Sequence, residues 1–478
     1  MPTTNGNRKL LDLKRWEMVA PLQAATSAGA FIASSRHYRQ QQLYVASNTS
    51  AWLYNPSEDG WTPLASPALA GTFGAGACGV AVAISIGSST GAAQLTATGG
   101  TTTTIQTNQN LQRDLRGYSV HITGGPNAGA TLAIVSNTLG ASATITVAAQ
   151  ATAFSASTTY RLITPVWYVL GAGTTAAGSF RKYDFATNTW TTLAQAGLPA
   201  TISTDSKLVS TPSWIGENFL QFLTGTASAG AAATLTHTGK SWTTNQWTNY
   251  QIRIVSGTGA GQIRNIASNT GSVITVSANW TTNPDATSVY SIEGNDDYLY
   301  YLGSGAVGLI RYSISANTWT TLSPTVARAA APGAGMSAHW VHSATDAAWT
   351  GENAIRNGQR IYSFRGGNTS LLDYYDIAAN TWVNGVPYAP AGESHGTGTK
   401  WIYSGDFLYG QHLATGRWFR VNLVTSAQDG WSVMVYPQGA AVVGDTAFDA
   451  TFIDGATRID FLYIGLNTST VMLRQMVI

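Results

Sequence analysis

The sequence is short of charge. Asp, Glu, Lys and Arg make up 10% of its 478 residues, against about 25% in an ordinary globular protein. The net charge is +2 at pH 7, so bulk charge gives no ground for nucleic-acid binding, which asks for a basic face. Cysteine is nearly missing as well. Cys78 stands alone, which excludes an intramolecular disulfide. Set in Gly76-Ala77-Cys78-Gly79-Val80, it reads as a buried strand residue rather than a nucleophile. No stretch approaches the ~20 apolar residues of a membrane helix. The opening residues, Met1 to Asp12, lack the apolar core of a secretion signal, and the expectation is synthesis in a reducing cytoplasm. Helical periodicity is scarce too. Gly, Ala, Ser and Thr take the place of charge, and 16 Trp and 21 Tyr supply bulk for a large core. The composition is that of an all-β chain.

What the chain does have is a repeat. Tyr183-Asp184-Phe185-Ala186-Thr187-Asn188-Thr189-Trp190 is followed by Tyr312-Ser313-Ile314-Ser315-Ala316-Asn317-Thr318-Trp319 and Tyr375-Asp376-Ile377-Ala378-Ala379-Asn380-Thr381-Trp382. A degenerate copy runs from Tyr54 to Trp61, and a fifth keeps Trp418 with Gln411 in the Tyr place. Repetition at fixed internal spacing is a primary signal of fold. Each copy reads as a hairpin: an alternating apolar strand, a turn of Asp, Asn and small residues, then a return strand of β-branched and aromatic residues. Another apolar strand ending in glycine lies upstream, as in Trp167-Tyr168-Val169-Leu170-Gly171 and Ile361-Tyr362-Ser363-Phe364-Arg365-Gly366-Gly367.

An apolar strand, a glycine pair, then a Tyr and a spaced Trp resembles the kelch repeat. The resemblance implies a β-propeller with one four-stranded blade per repeat. Trp61 to Trp190 and Trp190 to Trp319 each span 129 residues, and the next gaps are 63 and 36. A kelch blade takes about 50 residues, so each long gap holds a blade and an insertion. The last repeat, ending in Val471 to Ile478, has no closing Trp, whereas Trp16 near the start has no blade. The expectation is a six-bladed kelch-like propeller in which the N-terminal strand completes the final blade and removes an open sheet edge.

The two insertions are alike. Tyr118-Ser119-Val120-His121-Ile122, Ser136-Asn137-Thr138 and Ile145-Thr146-Val147 match Tyr250-Gln251-Ile252-Arg253-Ile254, Ser268-Asn269-Thr270 and Ile274-Thr275-Val276 in order and spacing. Each is expected to be a small β barrel or sandwich. The organisation expected is propeller over 1–85, module over 86–164, propeller over 165–222, module over 223–293 and propeller over 294–478. Because changes of loop length cost little chain entropy, excision of an insert is expected to leave the propeller folded.

The search for chemistry identifies no catalytic residue, cofactor or metal site. His339 and His342 in His-Trp-Val-His fall on opposite faces of a strand, and zinc needs three or four ligands of settled spacing. Asp445, Asp449, Asp454 and Asp460 lack the closely alternating oxygens of a calcium loop. Gly257-Thr258-Gly259-Ala260-Gly261 has no helix behind it to cradle a phosphate. Asp296-Asp297 reads as a turn between insert and blade. Trp242, Trp247 and Trp280 crowd the second insert; they fit either a glycan-stacking platform or the filling of a small core.

The second insert, from Trp247-Thr248-Asn249-Tyr250 through Ile252-Arg253-Ile254 and Gly257-Thr258-Gly259-Ala260-Gly261 to Trp280 and Tyr290, is similar to β modules of virion structural proteins of tailed bacteriophages. That resemblance implies a virion protein made in host cytoplasm: a homo-oligomeric tail, neck, baseplate or nozzle component working through contacts with other virion proteins. Two other roles stay open, a receptor- or glycan-binding tail protein for host attachment and a glycan-degrading enzyme.

Overall fold

The computed structural model describes residues 17–25, 29–35, 41–70, 73–85, 94–215, 218–341 and 360–387, together with 396, 399 and the strands between 401 and 477. Among them there is no helix; every element is a strand, and every pairing is antiparallel. The body is propeller-like. Its described residues form six four-stranded sheets, each with its strands in meander order from inside to outside. The first comprises Phe31–Ser34, Gln42–Ser47, Ser50–Asn55 and Gly60–Pro63. The second runs through Cys78–Val82, Val166–Leu170, Phe180–Asp184 and Thr189–Thr192, and the third through Lys207–Thr211, Asn295–Leu302, Leu309–Ser313 and Thr318–Thr321. The fourth starts at His339–Val341 and the fifth at Trp401–Ser404. The sixth starts at Thr446–Asp454 and ends with Met472–Val477 and the short strand Glu17–Met18. The inner strands neighbour one another in sequence, and the last of them, Thr446–Asp454, lies beside the first, Phe31–Ser34.

The chain ends meet in the sixth sheet, where Glu17 opposes Arg474 and Met18 opposes Leu473. Trp16 lies outside the described residues.

The Tyr–Trp repeat is a cross-strand pair. Tyr54 opposes Trp61, Tyr183 Trp190, Tyr312 Trp319, Tyr375 Trp382, and Gln411 Trp418. In the four aromatic copies the ring centroids are 4.8 to 5.5 Å apart. The spacing of seven is explained by the turn between them. Its last residue, Asp59, Asn188, Asn317 or Asn380, takes a φ of 47 to 53°. Asn and Asp tolerate that left-handed region better than other side chains. The same side chain accepts a hydrogen bond from its Tyr hydroxyl, at 2.6 to 2.7 Å in all four copies. Turn residue and tyrosine thus fix each other.

Trp190 and Trp319 also reach the previous sheet, whereas Trp382 Nε1 is buried without a hydrogen-bond partner. Trp190 Nε1 donates to the carbonyl of Ala65 at 3.0 Å and Trp319 Nε1 to that of Ala194 at 2.9 Å. Ala65 and Ala194 each lie four residues beyond the preceding Trp. Asn317 accepts from the amide of Ala194 as well, at 2.9 Å. The Trp residues are not equally covered: Trp319 and Trp382 are 7% and 3% exposed, whereas Trp61 and Trp190 are half-buried. Equivalent places in the repeat therefore differ in what lies over their outer face.

Candidate functional site at the module junction

Both insertions leave the body between the first and second strands of a sheet, the second and third sheets respectively. In an antiparallel meander that connection shares its end of the sheet with the turn between strands three and four. The modules therefore rise from the same face as the Tyr–Asn–Trp turns. The first spans Leu95–Gly100 to Thr159–Ile163 and is a closed six-stranded barrel. The second spans Gln221–Thr226 to Val289–Glu293 and has the same strand order, but the strand equivalent to Leu95–Gly100 is broken into Gln221–Thr226 and Ala229–Ala231. Both carry a bulge at the same place, between Ile134 and Ser136 and between Ile266 and Ser268.

The repeated Ser-Asn-Thr has a structural reason. Asn137 Oδ1 accepts from the amide of Leu115 at 2.7 Å, and its Nδ2 donates to the carbonyls of Arg113 and Thr138. Asn269 does the same with Trp247, Thr243 and Thr270. Half-buried in the first module and buried in the second, this carboxamide holds the loop that leads into the strand Ser119–Gly124 or Gln251–Ser256.

Trp242, Trp247 and Trp280 are 4%, 0% and 4% exposed. They fill the core of the second module beside Tyr250, Ile252 and Ile274, so the glycan-platform expectation does not hold: no ring face is open for a sugar to stack on. Leu111, Leu115 and Phe154 help fill the first core with less bulk. The modules are also docked rather than free. The hydrophobic cluster of the second continues without a break into Tyr300, Tyr375, Ile377 and Trp382 of the body. That of the first continues into Phe185 and Ala186. Arg113 of the first donates to Tyr183 Oη at 2.9 Å and to Asn188 Oδ1 at 3.1 Å. Excising 223–293 would uncover body core at Tyr300, Tyr375, Ile377 and Trp382.

The modules face each other across an approximate two-fold. Gly129 has φ +92°, and a Cβ there would stand 2.5 Å from the carbonyl oxygen of Val255. Gly261 has φ +86°, and its Cβ would stand 2.7 Å from that of Ile122. Backbone meets backbone at equivalent places, which only glycine permits. This contact is what the glycine-rich segment 257–261 serves.

Near that contact lies a cluster of buried charge. Arg253 grips Glu293 through two nitrogens, Nε at 3.0 Å and Nη2 at 2.5 Å from Oε1, with both side chains buried. Asp296 takes the amide of Ser213 at 2.7 Å and also the Ser213 hydroxyl. Asp297 takes the amide of Ser315 at 2.7 Å, the Ser313 hydroxyl at 3.0 Å and the Asn265 carboxamide at 3.2 Å. Asp296-Asp297 is thus no turn but part of the strand Asn295–Leu302. Gly294 just before it admits the carbonyl of Pro212 where a Cβ would come within 2.1 Å. Arg161 and His121 stand opposite each other on neighbouring strands, at 9% and 1% exposure. Nδ1 of His121 bonds Thr131 at 2.9 Å.

The environment moves several pKa values. Burial first, then the charges of Arg253 and Arg161, push the His121 imidazole down to about 3 from 6.5. Burial lifts the Asp296 carboxyl to about 6 from 3.8, against the pull of Ser213 and Arg161. The signs oppose. His121, with a lowered folded pKa, contributes stability above 6.5 that is lost as pH falls toward 3. Asp296, with a raised one, adds stability as pH falls from 6 toward 3.8. Relative to the parent chain, His121→Gln is expected to gain stability as pH falls from 6.5 to 4. Asp296→Asn is expected to lose it, each by up to about tenfold in the folding equilibrium per pH unit. Urea unfolding between pH 4 and 7 checks this; parallel curves for all three chains would refute it.

The repeat residues Tyr54, Tyr183, Tyr312 and Tyr375 lie where the pattern puts them, and they serve sheet structure. His339 lies on His339–Val341, and His342 is outside the described residues. Asp449, Asp454 and Asp460 fall on the strands Thr446–Asp454 and Thr457–Gly465, and Asp445 is outside the described residues. Cys78 is buried on Cys78–Val82, its thiol pushed up to about 12 by burial. Among the described residues no three His, Cys, Asp or Glu side chains gather to hold a metal ion, and no helix is long and apolar enough to cross a membrane. The junction residues His121, Arg161, Arg253 and Glu293 escape sequence reasoning. Their one signal is charge at outward positions of strands otherwise apolar, in a chain with little charge.

No family model and no curated protein matches the chain. Among solved structures it is similar to a chain in the crystal structure of the mitotic checkpoint complex, at 9% identity and a TM-score of 0.33, over 100% of this chain and 97% of that one.

Proposed function

We propose that this chain is a structural protein of a tailed-bacteriophage virion, acting in the tail, neck, baseplate or nozzle through protein–protein assembly. In this reading its six sheets are the blades of a kelch-like propeller, with the paired modules standing on one face. The observation that carries the proposal is the use made of charge. The groups that come nearest to a catalytic constellation, Asp296, Glu293, Arg253, Arg161 and His121, lie buried where modules and body join. A chain that spends its charge on fixing its own parts presents mostly neutral Gly, Ser, Thr and Ala outside. Such surfaces dock without the cost of desolvating ions. The resemblance of the second module to virion modules adds the setting, including a place in the particle after synthesis in host cytoplasm, homo-oligomers and neighbours among virion proteins.

Two measurements test it. Labelling the chain in purified particles and imaging them is expected to place it at a fixed position with a ring-like copy number. Incubation of the purified chain with host surface polysaccharide is expected to release no new reducing ends. Release that a single carboxylate substitution abolishes would overturn the proposal in favour of a glycan-degrading enzyme.

A further inference from the structure

The approximate two-fold between the modules is interrupted by one side chain that belongs to neither barrel. Phe219 sits on a short hairpin, Trp214–Ile215 paired with Asn218–Phe219, between the inner strand of the third sheet and the second module. Its ring lies under the Arg253 guanidinium of the second module, 3.8 Å from ring centroid to Cζ. It meets His121 of the first module edge-on at 5.4 Å. Arg253 and His121 are equivalent positions of the two barrels, so the ring occupies the two-fold itself. On its third side Phe219 meets Trp214 edge-on at 4.9 Å, and Trp214 is buried with Ala83, Ile84 and Ile163 at the root of the first module.

The groups around the ring are themselves held. Arg253 is fixed by Glu293. The hairpin is fixed by Ser213, whose amide and hydroxyl bond Asp296, and by the amide of Leu220 on the Ser213 carbonyl. A planar guanidinium stacked on an aromatic ring and held by a carboxylate loses little freedom on docking. The glycine contact at Gly129 and Gly261 joins module to module only. Phe219 is placed to join both modules to the body.

We propose that the Phe219 hairpin is a mechanical coupling, which makes the module pair and the propeller-like body tilt and unfold as one unit. The coupling stands whatever the chain assembles with. In the full-length chain, calorimetry is expected to give one transition. Phe219→Ala is expected to split it in two and to raise amide exchange in 119–124 and 251–256 at least tenfold, with exchange in Gln42–Ser47 unchanged. Arg253→Lys keeps the charge opposite Glu293 but loses the flat stack, and is expected to split the transition in the same way. It decides the matter should Phe219→Ala fail to fold. A single transition merely moved to lower temperature, with exchange raised evenly along the chain, would overturn the coupling.

Discussion

A chain lacking residues 1–20 is expected to aggregate, or to melt at a temperature lower by on the order of 10 °C. Two sets of contacts go with that segment. The first is the pairing of Glu17 and Met18 with Arg474 and Leu473. Without it Leu473 and Arg474 lose their partners, and the edge of the strand Met472–Val477 becomes a template for association with other chains. The second is Ala20, whose amide donates to Asp59 at 2.8 Å and whose carbonyl accepts from Trp61 Nε1 at 3.3 Å. Asn317 and Trp319 hold the amide and carbonyl of Ala194 in the same way. Val19, buried against Tyr44 and Tyr54, is lost as well. Trp16 precedes Ala20 by the four residues that separate Trp61 from Ala65 and Trp190 from Ala194. Light scattering and thermal melts of the truncated chain are the measurement. A soluble protein that melts with the full-length chain would show that the meeting of the two ends contributes little.

That closure was legible because a repeat lacking its Trp and a Trp lacking its repeat are both visible in one dimension. The same holds for the Tyr–Trp pairs and the Asn between them: a turn of fixed length sets a fixed register, and the left-handed residue in it is chosen for its backbone. The likeness of the two modules was legible for a related reason, since Ser136-Asn137-Thr138 and Ser268-Asn269-Thr270 each hold the same loop inside their module. What the sequence hid is how parts far apart in the chain meet. Asp296-Asp297 looks like a turn because two acids after Gly-Asn usually face water. Here Ser213, Ser315 and Asn265 supply their hydrogen bonds, from up to 83 residues away. The three Trp of the second module read as core filling or as a platform, and only the closing of the strands around them decides. Gly129 and Gly261 read as ordinary turn glycines, because the backbone each lets in belongs to the other module.

Trp382→Ala is expected to cost ~3–5 kcal/mol, the range for truncating a fully buried large aromatic. Trp382 is 3% exposed and stacks obliquely on Tyr375 at 5.5 Å. Its outer face is covered by Arg328, whose guanidinium lies 4.8 Å from the ring. Arg328 is itself buried, with Nε 2.8 Å from Asp373 and Nη2 2.9 Å from Ser363. Asp373 is shared with Arg365 and the amide of Gly385. Removing the indole therefore opens a cavity and also takes away the roof of a buried ion network, whose charges are held by geometry as much as by attraction. Trp190→Ala is the comparison. It occupies the same place in the repeat and, unlike Trp382, donates an indole bond, to Ala65, but the side chain is half-buried, so its loss is expected to cost roughly half as much. Urea unfolding of both variants measures the difference. Equal losses would mean that the Tyr–Trp pair carries the energy and that cover by Arg328 adds nothing. A larger loss at Trp190 would contradict the assignment of stability to burial at these sites.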